Sequence, residues 1–273
     1  MPYITTSDGV EIYYIEQGEG QPIILSHGWP LNSDAWALEL KLFADAGYRA
    51  IAHDRRGHGR SSKTYAGNDM DHYAADLNDL VEALDLHDLI LIGHSTGGGE
   101  VVRYAARYGK DRVAKVITAG AVPPLMLNTP DNPEGAPIAV FDAIRDGVIS
   151  DRSQYYKDLA IPFFGGNRAG VVVSQGQIDD FWRQGMEVSV AAAYDCIAAF
   201  SETDFTEDLK AIDAPFFIAH GDDDQIVPIA AAAEKAIALV KNGTLKVYKG
   251  RPHGIYGDYQ KELDQDILDF IRA

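Results

Sequence analysis

A single cysteine, Cys196, stands in a chain of 273 residues. An intramolecular disulfide is therefore excluded, which fits a reducing compartment and makes a cytoplasmic location the expectation. Cys196 lies in AAAYDCIAAF, the setting of a small buried apolar side chain rather than a reactive thiol. Basic residues are also scarce: 24 Lys and Arg face 41 Asp and Glu, a net charge of −17. That balance argues against nucleic acid or an anionic membrane as partner. No apolar run approaches the ~20 residues of a membrane helix. The opening MPYITTSDGVEIYY has neither the basic nor the apolar region of a signal peptide, so none is expected. There is no repeat and no low-complexity tract.

What remains is an ordinary globular composition, 46% apolar and 24% charged. YITTS and VEIYYIE flank Asp8-Gly9 and read as a hairpin. Short apolar runs then recur as buried strands: PIILSHG, YRAIAHD, LILIG, VAKVITAG, APFFIAHG and LKVYKG. Amphipathic helices separate several of them. LELKLFADAG places Leu38, Leu42 and Phe43 on one side and stops at Gly47. A second helix starts at Asp71 as N-cap and carries Tyr73, Leu77, Leu80, Val81 and Leu84. A third, GGGEVVRYAARYG, ends at Gly109, and a fourth is PIAAAAEKAIALVKNG. Buried strands alternating with helices predict an eight-stranded, mostly parallel sheet covered on both faces. Residues 122–213 break the rhythm with a proline-rich opening and helical stretches. They are expected to be a helical cap after the sixth strand, inserted into a single domain whose core is 1–121 and 214–273.

LILIGHSTGGGEVV carries the chemistry. Gly93-His94-Ser95-Thr96-Gly97 matches G-x-S-x-G between a strand and a helix, the setting of a nucleophile elbow. The glycines let strand and helix approach closely while Ser95 occupies a strained turn. A phosphate loop is excluded because no Gly-Lys-Ser/Thr follows. A serine hydroxyl needs a base. With this elbow the chain order is Ser, then acid, then His. Of eight histidines, His253 in the loop after LKVYKG satisfies that order. The acid then belongs to HGDDDQIVP, at the end of the preceding strand. Asp224, next to the apolar Ile226-Val227-Pro228, is favoured for burial over Asp222, and Asp223 is most simply solvated. The oxyanion needs N–H donors: Thr96, after the nucleophile, and Trp29, since Pro30 in HGWP has none. HDRRGHGRSS tempts an anion-site reading but is better read as a brace of arginines and glycines.

HGWP, HDRRGHGRS, GHSTGGGE, AVPP, TDFTEDL, GDDDQIVP and YKGRPHG together resemble the cofactor-free haloperoxidase (perhydrolase) and aryl esterase family of α/β hydrolases, which also has γ-lactam-hydrolysing members. The resemblance spans nearly the whole chain. It implies the α/β-hydrolase fold, Ser95, Asp224 and His253 as triad, Trp29 and Thr96 as oxyanion donors, and no cofactor or metal. Trp29, Pro30, Ile226 and Val227 are the expected pocket residues, with the cap aromatics Phe141, Phe163, Phe164, Phe181 and Trp182 as further candidates. The tail departs from the family, lacking its Thr-His pair and Asn.

The implied reaction is ester hydrolysis through an acyl-enzyme on a small acyl substrate. Hydrogen peroxide as acceptor gives a peracid able to oxidise halide. Related proteins are often homo-oligomers. A lactamase or amidase on the same triad, a slow-turnover receptor and a non-hydrolytic lyase are the competing readings. Ser95 excludes the Asp-nucleophile epoxide hydrolases and dehalogenases.

Overall fold

The computed structural model describes residues 2–273. Strands β1 (Tyr3–Thr5) and β2 (Glu11–Gln17) form an antiparallel hairpin. At its turn Gly9 takes φ 87°, a conformation costly for other residues. Then come β3 (Gln21–Ser26), β4 (Tyr48–His53), β5 (Leu89–His94), β6 (Val113–Ala119), β7 (Phe216–Gly221) and β8 (Gly243–Tyr248). Among the described residues these eight strands make one sheet, ordered β1-β2-β4-β3-β5-β6-β7-β8. From β4 onward every pairing is parallel. Every residue of β5 and of β7 is buried, because helices cover both faces.

Side chains alternate across the sheet, so two cores form. Ile23, Leu25, Ile90 and Ile92 pack on one face with α1 (Ala37–Asp45) and α9 (Gly257–Arg272). Ile24, Ile51 and Leu91 face the other way, against α2 (Met70–Ala83), α3 (Thr96–Arg107) and α8 (Ala233–Leu239). Between β6 and β7 lie α4 (Ile138–Phe163), α5 (Gln175–Met186), α6 (Val190–Ser201) and α7 (Thr206–Ala211). Helix α4 bends where Asp151 leaves helical geometry and its Oδ1 accepts from Gln154 N–H at 3.0 Å. Among the described residues no helix is long and apolar enough to cross a membrane.

Three local expectations are corrected. In α1 the buried face is Leu40 and Phe43, while Leu38 is 65% exposed. Trp36, Leu40 and Phe43 recur at helical spacing, and Leu38 falls off that stripe. The N-cap of α2 is Asp69, whose Oδ1 accepts from the N–H groups of Asp71 and His72 at 3.0 Å each. Asp71 sits in the first turn and pairs with Arg103. Helix α8 begins only at Ala233, because Ile229–Ala232 are spent in turns.

Candidate active site

Strand β5 ends at His94 and α3 begins at Thr96, so a single residue turns the chain. Ser95 has φ 55° and ψ −122°. Such a conformation costs a non-glycine residue ~1–3 kcal/mol. The surroundings demand it. A Cβ on Gly93 would lie 2.4 Å from Gly97 O, and one on Gly97 would lie 2.2 Å from Ser26 O. Neither position tolerates a side chain while strand and helix stay this close. Ser95 is held by its own N–H, which donates to Ala119 O at 3.1 Å, and by its carbonyl, which accepts from Gly98 N–H at 3.0 Å.

The loop after β7 supplies Asp224 and the loop after β8 supplies His253. The two are 29 positions apart, and the chain between them holds α8 and β8, which return it to the same sheet edge. His253 Nδ1–H donates to Asp224 Oδ2 at 2.7 Å. Asp224 Oδ1 accepts from the N–H groups of Ile226 (2.9 Å) and Val227 (2.8 Å). Burial pushes the Asp224 carboxyl up, but His253 and His220 pull harder and hold it well below the usual carboxylate range. His253 Nε2 is buried without a hydrogen-bond partner. Thus Asp224 and His253 are joined, whereas Ser95 Oγ is not bonded to the ring. Such a bond is often long without substrate.

The other two aspartates are occupied elsewhere. Asp222 Oδ1 accepts from Gly250 N–H at 2.5 Å and the carboxylate pairs with Lys249 at 2.8 Å. Asp223 is not simply solvated, contrary to expectation. It takes a two-pronged bond from Arg168, at 2.7 and 2.5 Å, because the loop after α4 passes over it.

Several contacts around this site escaped the sequence reading. His94 Nε2–H donates to His253 O at 3.1 Å, and the two rings lie 4.8 Å apart. Burial, then His253, lowers the His94 pKa to about 3, so its ring is neutral. His220 Nε2–H donates to Val227 O at 2.9 Å and lies 3.4 Å from Asp224 Oδ2. A Cβ on Gly120 would come within 3.3 Å of both Asp224 Oδ2 and His253 Nδ1. Phe163 stands edge-on to His253 at 4.8 Å, and its carbonyl accepts from Gly254 N–H at 2.7 Å. The position of His94 and His220, beside Ser95 and four residues before Asp224, was the available signal.

A cavity of about 250 Å³ opens over Ser95 and Thr96. Trp29, Phe141, Phe163, Phe200, Ile226 and Val227 line it. Pro30 is buried and is not among the lining residues, which corrects the expectation that it faces the pocket. Of the remaining aromatics, Phe164 and Phe181 line a separate cavity, and Trp182 Nε1–H donates to Ser153 Oγ at 2.9 Å. The Trp29 indole N–H donates to Ala193 O at 3.0 Å. The backbone N–H groups of Trp29 and Thr96 have no acceptor among the described residues.

HDRRGHGRSS is a brace, not an anion site. Arg55 is buried against Glu100 of α3 at 2.7 Å and Arg56 against Asp76 and Asp8, while the more exposed Arg60 pairs with the buried Asp54 at 2.9 Å. Burial raises the Glu100 carboxyl, yet Arg55 and His53 outweigh it and leave it at about 2.

The alpha/beta hydrolase fold family matches residues 21–258. The chain is 57% identical over 274 residues to the non-heme haloperoxidase of Rhodococcus erythropolis, covering all of both chains. It is 49% identical, again over the full length of both, to the bifunctional esterase/perhydrolase of Acinetobacter calcoaceticus. The bromoperoxidase structure from Bacillus anthracis superposes with a TM-score of 0.93 at 37% identity, covering 99% of this chain and 100% of that one. An elbow serine beside an Asp–His pair, on this sheet and with these relatives, leaves one assignment: the chain belongs to the α/β hydrolase family and, within it, to the non-heme haloperoxidases.

Proposed function

We propose that this chain is a serine hydrolase of carboxylic esters that also carries out perhydrolysis. The observation that carries the reading is the 2.7 Å bond between His253 and Asp224 beside a serine in a strained elbow at the floor of an apolar cavity. Ser95 is the nucleophile. His253 Nε2, unpartnered in the structure, takes its proton as Oγ attacks the acyl carbon. Asp224 fixes the proton on Nδ1 and stabilises the imidazolium. The N–H groups of Trp29 and Thr96 receive the oxyanion. His253 then protonates the leaving alcohol.

Water or hydrogen peroxide next attacks the acyl-enzyme, giving an acid or a peracid, and Ser95 recovers its proton. The peracid then oxidises halide. The names of the Rhodococcus and Acinetobacter relatives support both activities. The helices within residues 122–213 are a cap inserted into one α/β core, and they supply Phe141, Phe163 and Phe200 to the acyl cavity. The test is a panel of p-nitrophenyl esters, with and without peroxide, on the wild type and Ser95→Ala. Both products should vanish in the variant. Undiminished turnover would refute the assignment.

A further inference from the structure

The acyl cavity is not the only space at the elbow. A second cavity, about 130 Å³, shares the Phe163 ring with the first. Its inner end is formed by the buried residues His27, Gly28 and His94. Its outer end reaches the exposed Ala35 and Asp180. It therefore runs from the surface toward Ser95 along the seam between the Ser33–Trp36 turn and α5. Of its lining residues, Gly28 packs against Ser95. A Cβ there would lie 3.0 Å from Ser95 Cβ and 3.1 Å from His94 Nδ1.

The two spaces differ in chemistry. The first is walled largely by aromatic and aliphatic side chains. The second is mixed, with Gln177, Asp180 and Gln184 set among apolar residues such as Leu31 and Phe181. Trp36 Nε1 and Glu39 Oε2, of two residues that line it, are buried without hydrogen-bond partners. Buried polar atoms left unpaired are rare and point to a hydroxylic guest. His94 adds an acceptor. Its Nε2 must carry the proton, because the His253 carbonyl can only accept. A neutral ring then leaves a lone pair on Nδ1, which makes no bond to any described residue.

Resting on the proposed acyl-enzyme reaction, we infer that this second cavity admits and holds the small hydroxylic acceptor, water or hydrogen peroxide, with His94 Nδ1 accepting its hydrogen bond, while the acyl group fills the first cavity. An acyl group in the apolar cavity blocks approach from that side. The volume suits several water-sized molecules. In the step itself the acceptor oxygen bonds to the acyl carbon and its proton passes to His253 Nε2. The Ser95 Oγ–carbon bond then breaks, and that proton returns to Oγ. His94 gains and loses no proton.

The test separates the two half-reactions. With p-nitrophenyl acetate, the burst of p-nitrophenolate reports acylation, and acid-quenched acyl-enzyme decay reports deacylation. Ala35→Phe at the rim should lower the ratio of deacylation to acylation rate constants by about tenfold. Gln177→Phe plugs the same cavity from α5, so a folding defect in one variant does not decide the matter. Val140→Phe, at the half-exposed edge of the acyl cavity, should shift the ratio the other way. His94→Phe keeps a ring and loses Nδ1, and should lower the ratio as Ala35→Phe does; no shift there overturns the part given to His94. A wild-type ratio in both plugged variants overturns the cavity assignment. Absence of any Ser95-dependent release of p-nitrophenolate by the wild type would instead strike the proposed hydrolase activity.

Discussion

Arg55 grips His27 twice: its backbone N–H donates to His27 Nε2 at 3.1 Å and its Nη2 donates to His27 O at 2.7 Å. The same guanidinium pairs with Glu100 in α3. Glu100 also accepts from Ser26 Oγ at 2.6 Å and contacts His53 Nε2 at 2.7 Å. One buried cation thus ties the His27-Gly28-Trp29 loop to the helix that starts at Thr96, and so sets the spacing of the two proposed oxyanion donors.

Removing either partner strands a buried charge. Arg55→Met should therefore cost about 3–5 kcal/mol of stability, read from urea unfolding. Arg55→Lys should recover little, because an ammonium cannot reach both His27 and Glu100 as a planar fork does. Full recovery by Lys would show that charge alone matters here.

The three adjacent aspartates give a graded comparison. Asp224→Asn should lower kcat by ~10⁴, since the amide misorients His253. Asp222→Asn and Asp223→Asn remove the charge that pairs with Lys249 and Arg168, away from the ring. They should stay within about tenfold of the wild type. A large loss at Asp223 would place the Arg168 contact inside the mechanism.

Pro30→Leu should lower the ratio of peracid to acid formed from one ester in peroxide. Pro30 does not line the acyl cavity, so its influence must pass through the backbone of Trp29, which proline restricts. Product analysis at fixed peroxide measures the ratio, and an unchanged value would free Pro30 of any role in acceptor choice.

Two histidines contribute stability that falls as pH drops from about 6.5 toward 3. Burial, followed by the charge of Arg55, lowers His58 to about 3; burial and His253 do the same to His94. In that window the unfolded chain binds protons that the folded chain refuses, so acid favours unfolding. Urea midpoints at pH 7 and 4.5 measure the effect. His58→Asn should flatten the curve if it folds; a slope unchanged by it would discount that histidine.

Asp264 predicts the opposite dependence. Burial and then Glu39 raise its carboxyl to about 7. The folded chain holds that proton where the unfolded chain has lost it, so stability declines as pH rises from about 4 to 7. Asp264→Asn should raise the melting temperature at pH 8 and leave it nearly unchanged at pH 4. An equal shift at both values would contradict a titrating role.

Features set by local chain chemistry were readable in advance. The G-x-S-x-G turn between a buried strand and a helix announces Ser95, and chain order leads on to His253 and to the run 222–224. Asp224 stands out because Ile226 and Val227 bury it. What stayed hidden depends on segments far apart in sequence. Asp223 looked solvated because nothing local predicts Arg168, 55 positions away. Asp71 was mistaken for a cap because Asp69, two residues earlier, competes on the same chemistry. Leu38 and Leu40 are both leucines, and only the placement of Trp36 decides which one faces the sheet. The second cavity lies between the core and the segment before β7, and no run of sequence contains it.

The hydrogen bond from Gly254 N–H to Phe163 O binds the last turn of α4 to the residue after His253. A hinged lid swinging away would tear out that tie and pull the proposed base off Asp224. The enzyme therefore stays armed only while the end of α4 is seated.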